Sequence, residues 1–270
     1  MALSLLLSAC ASLPSAEDRR QTASLLAQQH GWSALTLPTR PFSLNAFLAR
    51  APRPQDQLWI YIEGDGLAWM SASRPSSDPT PVNPVALQLA LAQPEGSAAY
   101  LARPCQYDEA PQATCLTRYW TTARFAEDVI AASDAAVDEL KARHGARELT
   151  LVGYSGGAAV AALVAARRQD VVRLVSVAGN LDHHAWTTHH RVTPLRDSLE
   201  PVAQLQALAP VEQWHLAGER DRVVPVALIA NFAARQVEPE RVHLLRLPDH
   251  DHGCCWAEDW PRLWREIAGR

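Results

Sequence analysis

The 270-residue chain has no run of Lys or Arg interleaved with aromatics, and its formal net charge is −4. Without a basic field to release counterions from phosphates, nucleic acid is not an expected partner. No apolar stretch reaches the roughly 18 residues a membrane-spanning helix needs, and the apolar first ten residues are too brief for one. There is no CxxC spacing to suggest zinc and no HExxH helix motif, so no metal or cofactor is expected. Internal repeats and low-complexity tracts are also missing, which removes solenoids and fibrous classes.

What is present describes a globular protein. Hydrophobic residues make up 48% and charged residues 20% of the chain, enough apolar material for a large core and too much for disorder. The length suits a single α/β unit, since open sheets of this class commonly reach that size as one domain. The nine Trp are scattered and are expected as core and pocket walls, except Trp256, Trp260 and Trp264, whose helical spacing marks the packed face of a terminal helix.

From about residue 43 onward, apolar runs alternate with helical patterns. "FSLNAFL", "LWIYIEG", "AAYLARP", "ELTLVGY", "VVRLVSVAGN", "EQWHLAGERD" and "RVHLLRLPDHDHG" read as strands, and residues 124–144, "SGGAAVAALVAARR", "VALIANFAARQ" and "WAEDWPRLWREIAG" as helices. Strands apolar on both faces and separated by helices predict a doubly wound, mostly parallel sheet with helices on both sides. Ser71 to Pro84 reads as a long Pro/Ser loop, and Leu181 to Pro210 as a loop-rich section.

In "LVGYSGGAAVAAL", Ser155 follows an apolar strand and opens a small-residue helix, with glycines at 153, 156 and 157. A parallel sheet places chemistry at the carboxyl ends of its strands. The glycines relieve crowding in a sharp strand-to-helix turn, and the helix N-terminus favours developing negative charge. The pattern matches a nucleophile elbow. A serine hydroxyl needs a base, and the base needs an orienting carboxylate, each supplied from a later strand end. Asp221 in "GERDRVVP" and His252 in "DHDHG" arrive in that order; Asp182 in "AGNLD" is the competing acid and His250 the competing base.

With Ser155, Asp221 and His252 so spaced, the chain resembles the α/β-hydrolase superfamily over roughly residues 43–268. "YIEGDGLAW", "RPCQY", "YWTTARF" and "HGCCW" further resemble small bacterial α/β hydrolases, many of them lipoproteins. The resemblance implies the α/β-hydrolase fold with a short cap at 181–210. It also implies an oxyanion hole built from the Gly156 amide and from that of Asp65 or Gly66 in "IEGDG", where Glu63 stands in the family's usual His position. A carboxylate aimed at the oxyanion would oppose catalysis, so the Asp65 side chain should face away or be paired. Trp69 and Trp186 are expected as apolar pocket walls.

"MALSLLLSAC" resembles a lipoprotein signal peptide ending in a lipobox, although no Lys or Arg precedes its apolar stretch, as expected if translation starts further upstream. On that resemblance, residues 1–9 are a signal peptide, Cys10 is lipidated, residues 10–30 form a tether and residues 31–270 form one domain. The protein is then expected in the bacterial cell envelope, periplasmic and touching the membrane only through its lipid. Export suits Cys105 and Cys115, which flank a Pro-containing loop and are expected to close a disulfide ring, the alternative being two buried thiols. Cys254–Cys255 is a vicinal pair, a kind that rarely bonds to itself.

Four His in "DHHAWTTHHR" have no spacing or remote ligand set that suits a metal. The function expected is hydrolysis of a small-molecule ester or related acyl substrate through an acyl-enzyme. The alternative is a noncatalytic envelope protein that uses the same scaffold for binding.

Overall fold

The computed structural model describes residues 13–49 and 56–269. In chain order its elements are α1 (Ala16–Gln29), β1 (Trp32–Pro38), β2 (Ser43–Ala49), β3 (Gln57–Ile62), β4 (Trp69–Ser71), β5 (Arg74–Pro75), α2 (Val85–Ala92), β6 (Ser97–Leu101), α3 (Glu127–His144), β7 (Glu148–Tyr154), α4 (Gly156–Ala165), β8 (Val171–Val177), α5 (His183–His190), α6 (Leu205–Leu208), β9 (Glu212–Gly218), α7 (Val226–Ala234), β10 (Val242–Leu247) and α8 (Trp256–Ala268). Eight strands form the main sheet in the order β1-β2-β6-β3-β7-β8-β9-β10, and β4 and β5 make a separate small ribbon.

From β6 to β10 every pairing is parallel, whereas β1–β2 and β2–β6 are antiparallel. Period-2 alternation along the continuous apolar strands feeds two separate cores. Leu58, Ile60, Leu149, Leu151 and Leu174 face α3 and α4 on one side of the sheet. Trp59, Tyr61, Val152, Val175 and Trp214 face α1, α2 and α8 on the other. The sheet is doubly wound, as its sequence pattern requires.

The terminal helix α8 buries Trp256, Trp260, Leu263 and Ile267. Trp260 donates from Nε1 to the Tyr61 hydroxyl at 3.0 Å, and Trp264, only partly buried, packs its ring 5.5 Å from that of Trp59. The expected Trp face is therefore present, with Leu263 and Ile267 completing it.

Three expectations are corrected. Within the described residues, the expected tether is largely the helix α1. Ser15 caps it through a capping box with Asp18, Ala23 and Ala27 are buried, and Arg19 reaches Asp78 and the Thr80 carbonyl. Its fully buried residues are two small alanines and an arginine, with only Leu26 packing beside them, so the helix carries little apolar stripe to read. The loop-rich cap section contains α5, whose N-cap Asp182 accepts from the Ala185 amide at 2.9 Å, and its polar, His-rich composition hides it. Cys254 and Cys255 are bonded to each other, against the expectation for a vicinal pair, whereas the Cys105–Cys115 disulfide forms as expected. The signal peptide and Cys10 lie outside the described residues.

Candidate functional site

Ser155 sits between β7 and α4 with φ 52° and ψ −119°, a region that costs a non-glycine residue on the order of 1–3 kcal/mol and persists only where its surroundings fix it. Two backbone bonds do so: its amide donates to Val177 O at 2.9 Å and its carbonyl accepts from Asn180 N at 3.1 Å. The turn is also closely packed. A Cβ on Gly153 would lie 2.3 Å from Ala158 Cα, and one on Gly157 would lie 2.2 Å from Ile62 O. Glycine is required at both places for that reason, and the serine is left projecting from the crest of the turn.

The loops after β9 and β10 bring the partners. His252 places Nε2 3.0 Å from Ser155 Oγ and Nδ1 2.8 Å from Asp221 Oδ2. The other Asp221 oxygen accepts from the Val223 and Val224 amides at 2.7 and 2.8 Å, and its side chain is wholly buried. With its second oxygen fixed by two amides, Asp221 holds the first on the ring. The Tyr154 hydroxyl and the Trp256 indole N–H both donate to the His252 carbonyl, which ties the loop to β7 and α8.

The competing residues go elsewhere. Asp182 caps α5 and pairs with Arg235 at 3.2 Å. His250 is buried against the Trp256 ring and faces Asp259, and burial lowers its pKa. Of the four α5-region histidines, His183 stacks on Phe125 with ring centroids 4.3 Å apart, and burial pushes it down to about 4. His190 faces the Val223 carbonyl, His189 packs against His190, and His184 is exposed. Among the described residues no group of three or more His, Cys, Asp or Glu could hold a metal ion.

A cavity of about 440 Å³ opens over Ser155 and His252, with Asp65, Gly66, Trp69 and Trp186 in its wall. Trp69 and Trp186 thus stand where apolar walls were expected. Asp65 lies over the start of α4, its Oδ1 2.1 Å from where a Cβ on Gly156 would be. Its carboxylate is paired with Arg124 at 2.5 Å and Arg103 at 3.2 Å. Burial pushes the Asp65 carboxyl up, but the charges of Arg124 and Arg103 outweigh it and hold it below the usual carboxylate range. Gly66 lines the same cavity in a left-handed conformation at φ 63°.

Glu63 also borders the cavity and is buried. It accepts from Gly64 N at 2.8 Å and from the Tyr100 hydroxyl at 3.2 Å, and burial raises its pKa to about 7. Asn180, which also lines the cavity, has a buried Oδ1 with no hydrogen-bond partner among the described residues. Sequence reasoning did not single out Arg103, Arg124 or Asn180 as site residues. The signal was present for two of them: Arg103 belongs to "RPCQY" and Arg124 to "YWTTARF", and both motifs meet the Asp65 of "YIEGDGLAW".

No protein-family model matches the chain, and no curated protein matches it in sequence. Solved structures do match in fold. The esterase Pf2001 of Pyrococcus furiosus is similar at TM-score 0.60 and 14% identity, covering 88% of this chain and 90% of that one. Est1E from Butyrivibrio proteoclasticus is similar at TM-score 0.60 and 14% identity, covering 88% and 99%. A 2,6-dihydroxy-pseudo-oxynicotine hydrolase is similar at TM-score 0.60 and 18% identity, covering 95% and 74%. The chain has the α/β-hydrolase fold.

Proposed function

We propose that the protein is a serine hydrolase acting on an ester or related acyl substrate. One observation carries the reading: the unbroken hydrogen-bond relay from Asp221 through His252 to Ser155, with the serine on a strained turn at a helix N-terminus. His252 Nε2 takes the Ser155 proton as Oγ attacks the acyl carbonyl, and Asp221 stabilises the imidazolium that forms. The Gly156 amide and that of Asp65 or Gly66 hold the oxyanion. His252 then returns the proton to the leaving group, and a water, deprotonated in turn by His252, releases the acyl group from Ser155. Pairing Asp65 with two arginines supports this reading, because it offsets a carboxylate charge that would oppose the oxyanion.

Hydrolysis of p-nitrophenyl esters by the purified protein, abolished in Ser155→Ala, is the expected result. Equal rates in the two proteins would overturn the assignment of the nucleophile. We further place the protein in the bacterial cell envelope, tethered through lipidated Cys10; the Cys105–Cys115 disulfide supports an oxidising compartment. Fatty-acid labelling that disappears in Cys10→Ala tests that location.

A further inference from the structure

The two arginines beside the nucleophile are not neutralised. Arg103 and Arg124 share the single carboxylate of Asp65, so these three side chains together carry one positive charge in excess. Glu63, the other acid bordering the cavity, is hydrogen-bonded to the Gly64 amide and the Tyr100 hydroxyl rather than to either arginine, and burial raises its pKa to about 7, which reduces its negative charge near neutrality.

The guanidinium of Arg124 is the one placed to use that charge. Its Nε donates to the Thr121 carbonyl at 2.7 Å and its Nη1 to Asp65 Oδ2 at 2.5 Å. Among the described residues nothing accepts from its remaining nitrogen, Nη2, although the side chain is only 8% exposed. Arg103 differs: its terminal nitrogens are taken by Asp65 and by the Arg124 carbonyl, its guanidinium lies over the Phe125 ring, and its unpartnered Nε is buried away from the cavity over Ser155.

Arg124 also stands at a junction. Beside the cavity over Ser155 lies a second one of about 340 Å³, walled by Ala72, Val192 and Leu195, and the two share Trp69, Trp186 and Arg124. Among the described residues, Arg124 is the only charged side chain on the second cavity. A buried cation with a free donor, set between a nucleophile and an apolar recess, costs desolvation energy that an anionic ligand would return.

We propose that the substrate is an ester carrying a carboxylate near its scissile carbonyl, with Arg124 Nη2 binding the carboxylate and Trp69, Trp186, Val192 and Leu195 receiving the apolar part. The proposal rests on the hydrolase reading above and names its substrate class; Arg124 is a specificity-determining residue that reads charge.

The test compares mono-p-nitrophenyl glutarate and adipate with p-nitrophenyl pentanoate and hexanoate, of equal chain length and uncharged. The wild type is expected to favour the anionic esters in kcat/KM. That anionic-to-neutral ratio should fall about ten- to hundredfold in Arg124→Gln, the range for losing a charged hydrogen bond, and recover in part in Arg124→Lys. Turnover of all four esters without preference for the anionic pair would overturn the proposal and leave the hydrolase reading standing. If no ester is turned over, the hydrolase reading falls and calorimetry with glutarate decides the anion site. Binding to wild type that Arg124→Gln abolishes supports the site, and no binding to wild type refutes it.

Discussion

Glu63→Gln separates the electrostatic cost of a buried acid from the packing around it. Burial moves the Glu63 pKa from the ordinary value of 4.5 to about 7, so the folded state holds that proton more tightly than the unfolded chain does. The protonated form is favoured by folding. Its contribution is therefore complete below pH 4.5 and is lost as the pH rises through 7, a total of about 3 kcal/mol at roughly 1.4 kcal/mol per pH unit. Glutamine keeps an acceptor for the Gly64 amide and carries no charge at any pH. Urea unfolding of both proteins between pH 4 and 9, at about one-unit steps, should show the variant gaining on the wild type across that window by up to about 3 kcal/mol. Any hydrogen bond lost in the exchange adds a constant offset, which does not change with pH. Parallel stability curves for the two proteins would refute the account, because they would mean that Glu63 titrates alike folded and unfolded.

Asp221→Asn should leave the fold intact, since its Oδ1 can still accept from Val223 and Val224, yet lower kcat on p-nitrophenyl esters by on the order of 10⁴ through the wrong His252 tautomer; a wild-type rate would show that Asp221 does not orient the base. Gly153→Ala sets a methyl 2.3 Å from Ala158 Cα and 2.4 Å from Gly157 O. It should cost about 3 kcal/mol or more in thermal or urea melts, because the clashing atoms are backbone of the first turn of α4, which cannot give way. Removing the Cys105–Cys115 bond as Cys105→Ser with Cys115→Ser reopens a loop with a sequence separation of 10; loop-closure entropy puts the loss at about 3 kcal/mol, read as a lower urea midpoint.

The nucleophile elbow was legible because crowding forces its glycines, and the order Ser155, Asp221, His252 follows from strands that all point one way. The choice of His252 over His250 rested on position within a short loop. The structure gives its physical reason: His250 turns inward to Trp256 and Asp259, while the His252 carbonyl is held by Tyr154 and Trp256. The first helix escaped notice because alanines and one arginine make up its buried face, and α5 because its buried residues are His183 and Thr187. Arg103 and Arg124 were hidden for another reason. Their motifs "RPCQY" and "YWTTARF" stand in the sequence, but the Asp65 they share lies 38 and 59 residues away along the chain; only the fold brings the three together.

The central claim is that Ser155 is an activated nucleophile with His252 as its base, and labelling by a fluorophosphonate followed by peptide mass mapping tests it most directly. The account predicts a single adduct on Ser155 that is absent in Ser155→Ala and strongly reduced in His252→Ala, with both variants folded as judged by their melts. A folded wild-type protein that takes up no label, or one whose Ser155 is labelled equally well without His252, would contradict it.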